Sequence, residues 1–212
     1  MKRFSIKRSL AAALTICLVV GSTMTVSAAS SSQHAASSSG GSEAVAAVVT
    51  TTPSMTINGM KVVSTVKGVY AAKSIQGAVV TTPLAELMAA YGLTAGQTPF
   101  IVVADTDVKK SFRAKASLDA AAAALGATVG PVLNINLGAM TNGKFAPLSA
   151  DGADVAFTIA LPKSFVQADA NYAVICVRAG GAVTVAEDCD PNPNIVTFNM
   201  KGGLGCYAVV KY

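Results

Sequence analysis

Tryptophan is absent, histidine occurs once, at His34, and charged residues make up only 13% of the 212 residues. Each shortage removes a class of function. With His34 as the one imidazole, and that residue in a Ser- and Gly-rich stretch, neither a Ser-His-Asp nor a Cys-His arrangement can be assembled inside a fold. Without tryptophan, the large flat ring on which sugars stack is missing, so a glycan-binding surface would have to use tyrosines, with Tyr70, Tyr91 and Tyr207 as candidates. A long apolar run is missing too. Residues 10–20 form the most hydrophobic stretch near the start, and they fall short of the ~20 residues that cross a ~30 Å hydrocarbon layer as a helix.

That short run is nonetheless informative. Lys2, Arg3, Lys7 and Arg8 precede it, and Val26-Ser27-Ala28 follows with small residues at the cleavage positions. Residues 1–28 thus read as an export signal that is removed, not as an anchor. Cys17 is preceded by the bulky Ile16 and lies within the apolar run, which argues against a lipidation box. Removal of the signal also changes the charge. Four of the 16 Lys and Arg residues lie in it and none of the 11 Asp and Glu residues do, so 16 − 4 = 12 basic residues face 11 acidic ones, a net charge of +1. The attraction that gathers a protein onto nucleic acid or anionic lipid is therefore not expected.

Residues 29–54 are dominated by Ser, Ala, Gly and Thr, a composition with too little apolar area to offset chain entropy, and they are expected to form a flexible leader. Residues 55–212 are rich in Val, Ile and Ala and long enough for one domain with one core. Leu133-Asn134-Ile135-Asn136-Leu137 alternates apolar and polar residues, and the larger residues of 155–161 fall on every second position. This period of two predicts strands with one buried face. Asn142-Gly143, Asp151-Gly152 and Gly180-Gly181 lie between such runs and tolerate hairpin turns. Two segments read as short helices, 84–91 after Thr82-Pro83 and before Gly92, and 117–125 before Gly126. The expected fold is mainly β, an antiparallel β-sandwich with two short helices, its centre filled from 155–161, Tyr172–Arg178, Val183–Glu187, Ile195–Met200 and 206–210.

Phe157-Thr158-Ile159-Ala160-Leu161-Pro162, Tyr172-Ala173-Val174-Ile175-Cys176-Val177, Val196-Thr197-Phe198 and Tyr207-Ala208-Val209-Val210 together resemble the closing strands of β-sandwich modules in secreted and cell-surface proteins of Gram-positive bacteria. The likeness spans roughly residues 60–212 and is a strand pattern without a catalytic motif. It implies a binding, adhesion or structural role outside the cell, secreted or held non-covalently at the envelope. The implied partner is a protein or glycan of the envelope or of a host surface. It carries no site residues.

Three cysteines remain after export, Cys176, Cys189 and Cys206. If successive strands run up and down, Cys176 and Cys206 end near each other and Cys189 at the far end, so a Cys176–Cys206 disulfide is one expectation and three free thiols the other. Asp188, Asp190, Asn192 and Asn194 place side-chain oxygens at every second position, the pattern of a calcium loop. Pro193 stands where such a loop needs glycine and Asn199 where it needs a bidentate glutamate, which makes a plain turn the stronger expectation and no cofactor the default. Asp105 and Asp107 could supply the two carboxylates that an extracellular hydrolase needs as acid and base or nucleophile. Lys109, Lys110, Arg113 and Lys115 form a basic cluster that reads as a solvated loop face. A non-enzymatic binding module is the principal expectation, with a carboxylate-dependent hydrolase and a glycan-binding module as alternatives.

Overall fold

The computed structural model describes residues 50–212. The expected export signal, His34 and residues 29–49 of the expected leader lie outside the described residues. Within the last residues of the expected leader, Thr51 bridges Gly68, and the first strand opens at Ser54. In chain order the elements are β1 (Ser54–Ile57), β2 (Met60–Val63), β3 (Lys67–Tyr70), β4 (Gly77–Val80), α1 (Leu84–Ala90), β5 (Gln97–Asp105), α2 (Phe112–Ala124), β6 (Thr128–Thr141), β7 (Lys144–Pro147), β8 (Val155–Ala160), β9 (Tyr172–Arg178), β10 (Val183–Glu187), β11 (Ile195–Met200) and β12 (Gly203–Lys211). The fold is mainly β, as the alternation implies.

Two sheets carry the core. The larger runs β10-β9-β12-β6-β5-β3, with β7 beside the far end of β6, and the smaller runs β11-β8-β4. Their pairings are antiparallel except β3 with β5, which is parallel because the chain crosses through β4 and α1 between them. A separate hairpin pairs β1 with β2.

Alternation decides what fills the space between the sheets. Leu133, Ile135 and Leu137 of β6, Val174 and Cys176 of β9, and Tyr207 and Val209 of β12 face Phe157 and Ile159 of β8 and Val196, Phe198 and Met200 of β11 in one cluster. Phe157 and Phe198 sit opposite each other in register and meet edge to face, with ring centroids 5.8 Å apart. The other face of β9 and β12 presents Ala173, Ile175, Val177, Cys206, Ala208 and Val210, which Leu118 and Ala122 of α2 cover. Among the described residues, no helix is long and apolar enough to cross a membrane.

The turns obey the local chemistry. Asn142 and Gly143, with φ of 50° and 75°, close β6 on β7, and Gly180 and Gly181 close β9 on β10. Asn58-Gly59 does the same between β1 and β2, a hairpin signal additional to those above. Helix α1 has no hydroxyl cap, since Thr82 Oγ1 accepts a hydrogen bond from the Ala156 amide instead. Helix α2 begins at Phe112, five residues before the expected start.

Candidate functional site

The sandwich is not closed along its whole length. Between the β9–β10 hairpin of the large sheet and β11 of the small one, beneath the segment joining β7 to β8, lies a cleft of about 730 Å³. Residue size explains it. On β10 the positions paired with Cys176 and Val174, and therefore facing inward, are Thr184 and Ala186; Ala182 and Gly203 border the same space. Tight packing needs large side chains at such positions, and here the inward groups end at a hydroxyl or a methyl. Phe198, Met200 and Val174 supply the walls, and Cys176 and Tyr207 the floor.

The floor is neutral and the end is cationic. Burial first, and the nearby Cys176 thiol second, push the Tyr207 phenol well above its ordinary range, against the opposing charge of Arg178. Burial likewise pushes the Cys176 thiol up, with the Tyr207 hydrogen bond and the Arg178 charge working the other way. Both groups stay protonated at neutral pH. The Arg178 guanidinium donates to the Gly202 carbonyl at 2.7 Å, the Lys201 carbonyl at 3.2 Å and the Tyr207 hydroxyl at 3.3 Å. Beside it, Gly203 adopts a φ of 91°, which a side chain would strain. Arg178 is half-buried and, among the described residues, pairs with no carboxylate, whereas Lys201 pairs with Asp154 at 3.3 Å. None of these residues is marked by its spacing. The one available signal is an arginine closing the apolar run Tyr172–Arg178.

Of the two expectations for the cysteines, the Cys176–Cys206 bridge is not formed, and all three described cysteines are free thiols. Their strands are neighbours, as the bridge required, but the register places Tyr207 opposite Cys176 and Val177 opposite Cys206. A shift of one residue turns a side chain to the other face of a sheet. Cys176 accordingly lies between the sheets and Cys206 under α2, against the Thr106 hydroxyl. Thiol titration of the native exported protein is expected to find one fast cysteine, the exposed Cys189, with Cys176 at the cleft floor reacting slowly and Cys206 under α2 only on unfolding. Three fast thiols, or only one in the denatured chain, would contradict this arrangement.

In the loop after β10 the side-chain oxygens turn onto their own backbone. Asp188 Oδ1 accepts from the amides of Asp190 and Thr197, Asp190 Oδ1 from Asn192, and Asn192 Oδ1 from Asn194. These successive turns each satisfy an amide two residues on, the usual work of Asp and Asn in loops. Burial pushes the Asp188 carboxyl up despite those amide bonds, which disfavours the charge that a cation needs. Among the described residues no group of three or more His, Cys, Asp or Glu side chains converges. Calcium titration is expected to give no heat and no change in Tm, and a rise in Tm would restore the metal reading.

Asp105 and Asp107 are each occupied separately. Although partial burial works upward, bonds from the Ser74 hydroxyl and the Lys73 and Ser74 amides hold the Asp105 carboxyl below its ordinary range. Asp107 accepts from the Lys109 and Lys110 amides and pairs with Lys110 at 3.6 Å. Neither lines the cleft. Of the tyrosines considered for a sugar platform, Tyr207 is buried in the core, and Tyr70 and Tyr91 are half-buried with their hydroxyls tied to Ser64 and to the Ala153 carbonyl.

Burial pushes the Tyr70 phenol up to about 12, only partly offset by the Ser64 hydrogen bond. Because the folded values of Tyr70 and Tyr207 exceed the ordinary 10.0, the stability linked to them is intact below that pH and is lost as the pH rises through the folded values. An alkaline titration is expected to show delayed phenolate absorbance that appears together with unfolding between about pH 10 and 12. Normal ionisation of all five tyrosines in a folded protein would contradict it.

Comparison of the chain with protein-family models, with curated proteins and with solved structures gave no match.

Proposed function

We propose that residues 50–212 form a binding module: a rigid sandwich whose unfilled end holds a ligand, without chemistry being done on it. The observation that carries this reading is the cleft itself, about 730 Å³, walled by two sheets and lined largely by carbon, with the Arg178 guanidinium fixed at its end without an ion-pair partner among the described residues. That is the usual make-up of a site that grips a small apolar body and orients it by one polar contact. The groups at its floor, a neutral phenol and a neutral thiol, suit contact better than proton transfer near neutral pH.

More particularly, the module belongs outside a Gram-positive cell, secreted or held non-covalently at the envelope as a binding, adhesion or structural component. Supporting this are the basic start, the short apolar run and the small residues at 26–28. The near-neutral charge of the exported chain supports a partner recognised by shape and apolar contact, not a nucleic acid. The test is sedimentation of the tagged exported protein with envelope fractions, host proteins and glycans, in parallel with an Ala186→Leu variant in which the cleft is filled. Retention by one fraction, lost on filling the cleft, is the expected result. Equal retention of both proteins would place the binding elsewhere.

A further inference from the structure

We infer that the cleft takes an aliphatic carboxylate, with the acyl chain along its apolar walls and the carboxylate on the Arg178 guanidinium; this rests on the reading of the cleft as a binding site. Charge selects the head group. Arg178 is a half-buried cation at the end of a carbon-lined space, and its anchoring bonds go to two carbonyls and a phenol, none of which neutralises it. A guanidinium keeps its charge at any working pH, and it retains N–H donors beyond those spent on the Lys201–Gly202 turn and on Tyr207. Of the other charges that line the cleft, Lys201 meets Asp154 at 3.3 Å and the Gly152 carbonyl at 2.8 Å, and Asp151 is unpaired but exposed, where water screens it. Arg178 and the exposed Asp151 are the lining charges without an ion pair among the described residues, and of the two it is Arg178 that is half-buried and held still by three hydrogen bonds before any ligand arrives. Such preorganisation lowers the cost of binding an anion.

The walls select the tail. Val174, Phe198, Met200 and Leu148 offer aliphatic and ring-edge contacts, and the short side chains of Thr184 and Ala186 leave the space beside them unfilled. A thioether side chain adapts to a flexible tail. A sugar would leave hydroxyls without partners where they meet these apolar walls.

The experiment is calorimetric titration of the exported protein with decanoate and with decanol, repeated on Arg178→Gln and Ala186→Leu. Decanoate is expected to bind saturably at one site, and decanol about tenfold more weakly for want of the charge-assisted bonds. Arg178→Gln is expected to reduce decanoate binding to the level of decanol and to leave decanol unchanged. Because Arg178 also braces the turn before β12, Ala186→Leu provides the second arm: it keeps the cation, fills the path and is expected to abolish binding of both ligands without lowering Tm. Equal affinity for the two ligands, or decanoate binding that survives both substitutions, overturns the inference. If decanoate fails while an envelope partner is still lost on Ala186→Leu, the cleft reading stands and the carboxylate falls; if that substitution affects neither, both fall. A peptide that binds along the free edge of β10, insensitive to Arg178→Gln, would also overturn it.

Discussion

Replacing Phe157 by alanine is expected to destabilise the domain by about 3–5 kcal/mol, the range for removing a buried phenylalanine ring. The ring is fully buried and lies on β8, the central strand of the small sheet. It meets Phe198 at 5.8 Å and 78°, an edge-to-face geometry worth more than the buried area alone. Phe198 in turn walls the cleft and lies 6.0 Å from the Tyr207 ring on its floor. The cavity left by Phe157→Ala therefore opens directly behind the proposed site. A fall in Tm of roughly 10 °C in thermal unfolding is expected for a domain of this size, with ligand binding weakened at temperatures where the variant is still folded. A loss below about 1 kcal/mol would mean that the two sheets are not packed through this pair.

Gly68→Ala is expected to be comparably severe for a different reason. A Cβ at Gly68 would stand 1.9 Å from the carbonyl oxygen of Ile101 and 2.9 Å from its carbon. Those atoms belong to the backbone of β5, which β6 holds from the other side, so they cannot yield as a side chain would. Strand β3 would have to leave its parallel pairing with β5, and the two bonds between Thr51 and Gly68, of 2.8 and 3.0 Å, would go with it. A cost of about 3 kcal/mol or more is expected, at the upper end for overpacking. Gly77→Ala is the control. The nearest atom to its Cβ is Met55 Cβ at 3.8 Å, so a neutral or slightly stabilising effect is expected from the lower entropy of the unfolded chain. Denaturant unfolding of the pair measures both, and equal effects would contradict the assigned register of β3.

Period-two alternation places Leu133, Ile135 and Leu137 toward the core, and paired turn formers identify the hairpins at Asn142-Gly143 and Gly180-Gly181, because these signals are local. Register is not local. Cys176 and Cys206 do lie on adjacent strands, yet a single step in pairing sends the two thiols to opposite faces. Strand order is likewise hidden: Val183 and Val185 alternate as a core strand does, but β10 is the edge of its sheet and both side chains are exposed. The parallel pairing of β3 with β5 depends on a crossover that no residue near either strand announces. The cleft follows from these non-local facts. Thr184 and Ala186 are unremarkable until their inward direction is known, and Arg178 looks like an ordinary strand end until its guanidinium is seen on the Lys201–Gly202 turn. The oxygen-rich loop shows the opposite case. Its spacing of Asp188, Asp190, Asn192 and Asn194 was legible, and the structure spends the Asp188, Asp190 and Asn192 oxygens on successive backbone amides.

Backbone hydrogen exchange of the exported protein, with and without the envelope fraction that retains it, tests most directly whether the open end of the sandwich is the binding site. The expected result is slowed exchange confined to β10, β11 and the turn at residues 201–203, with the Ala186→Leu variant showing no change. Protection at α2 or along β3, with those segments unaffected, would contradict it.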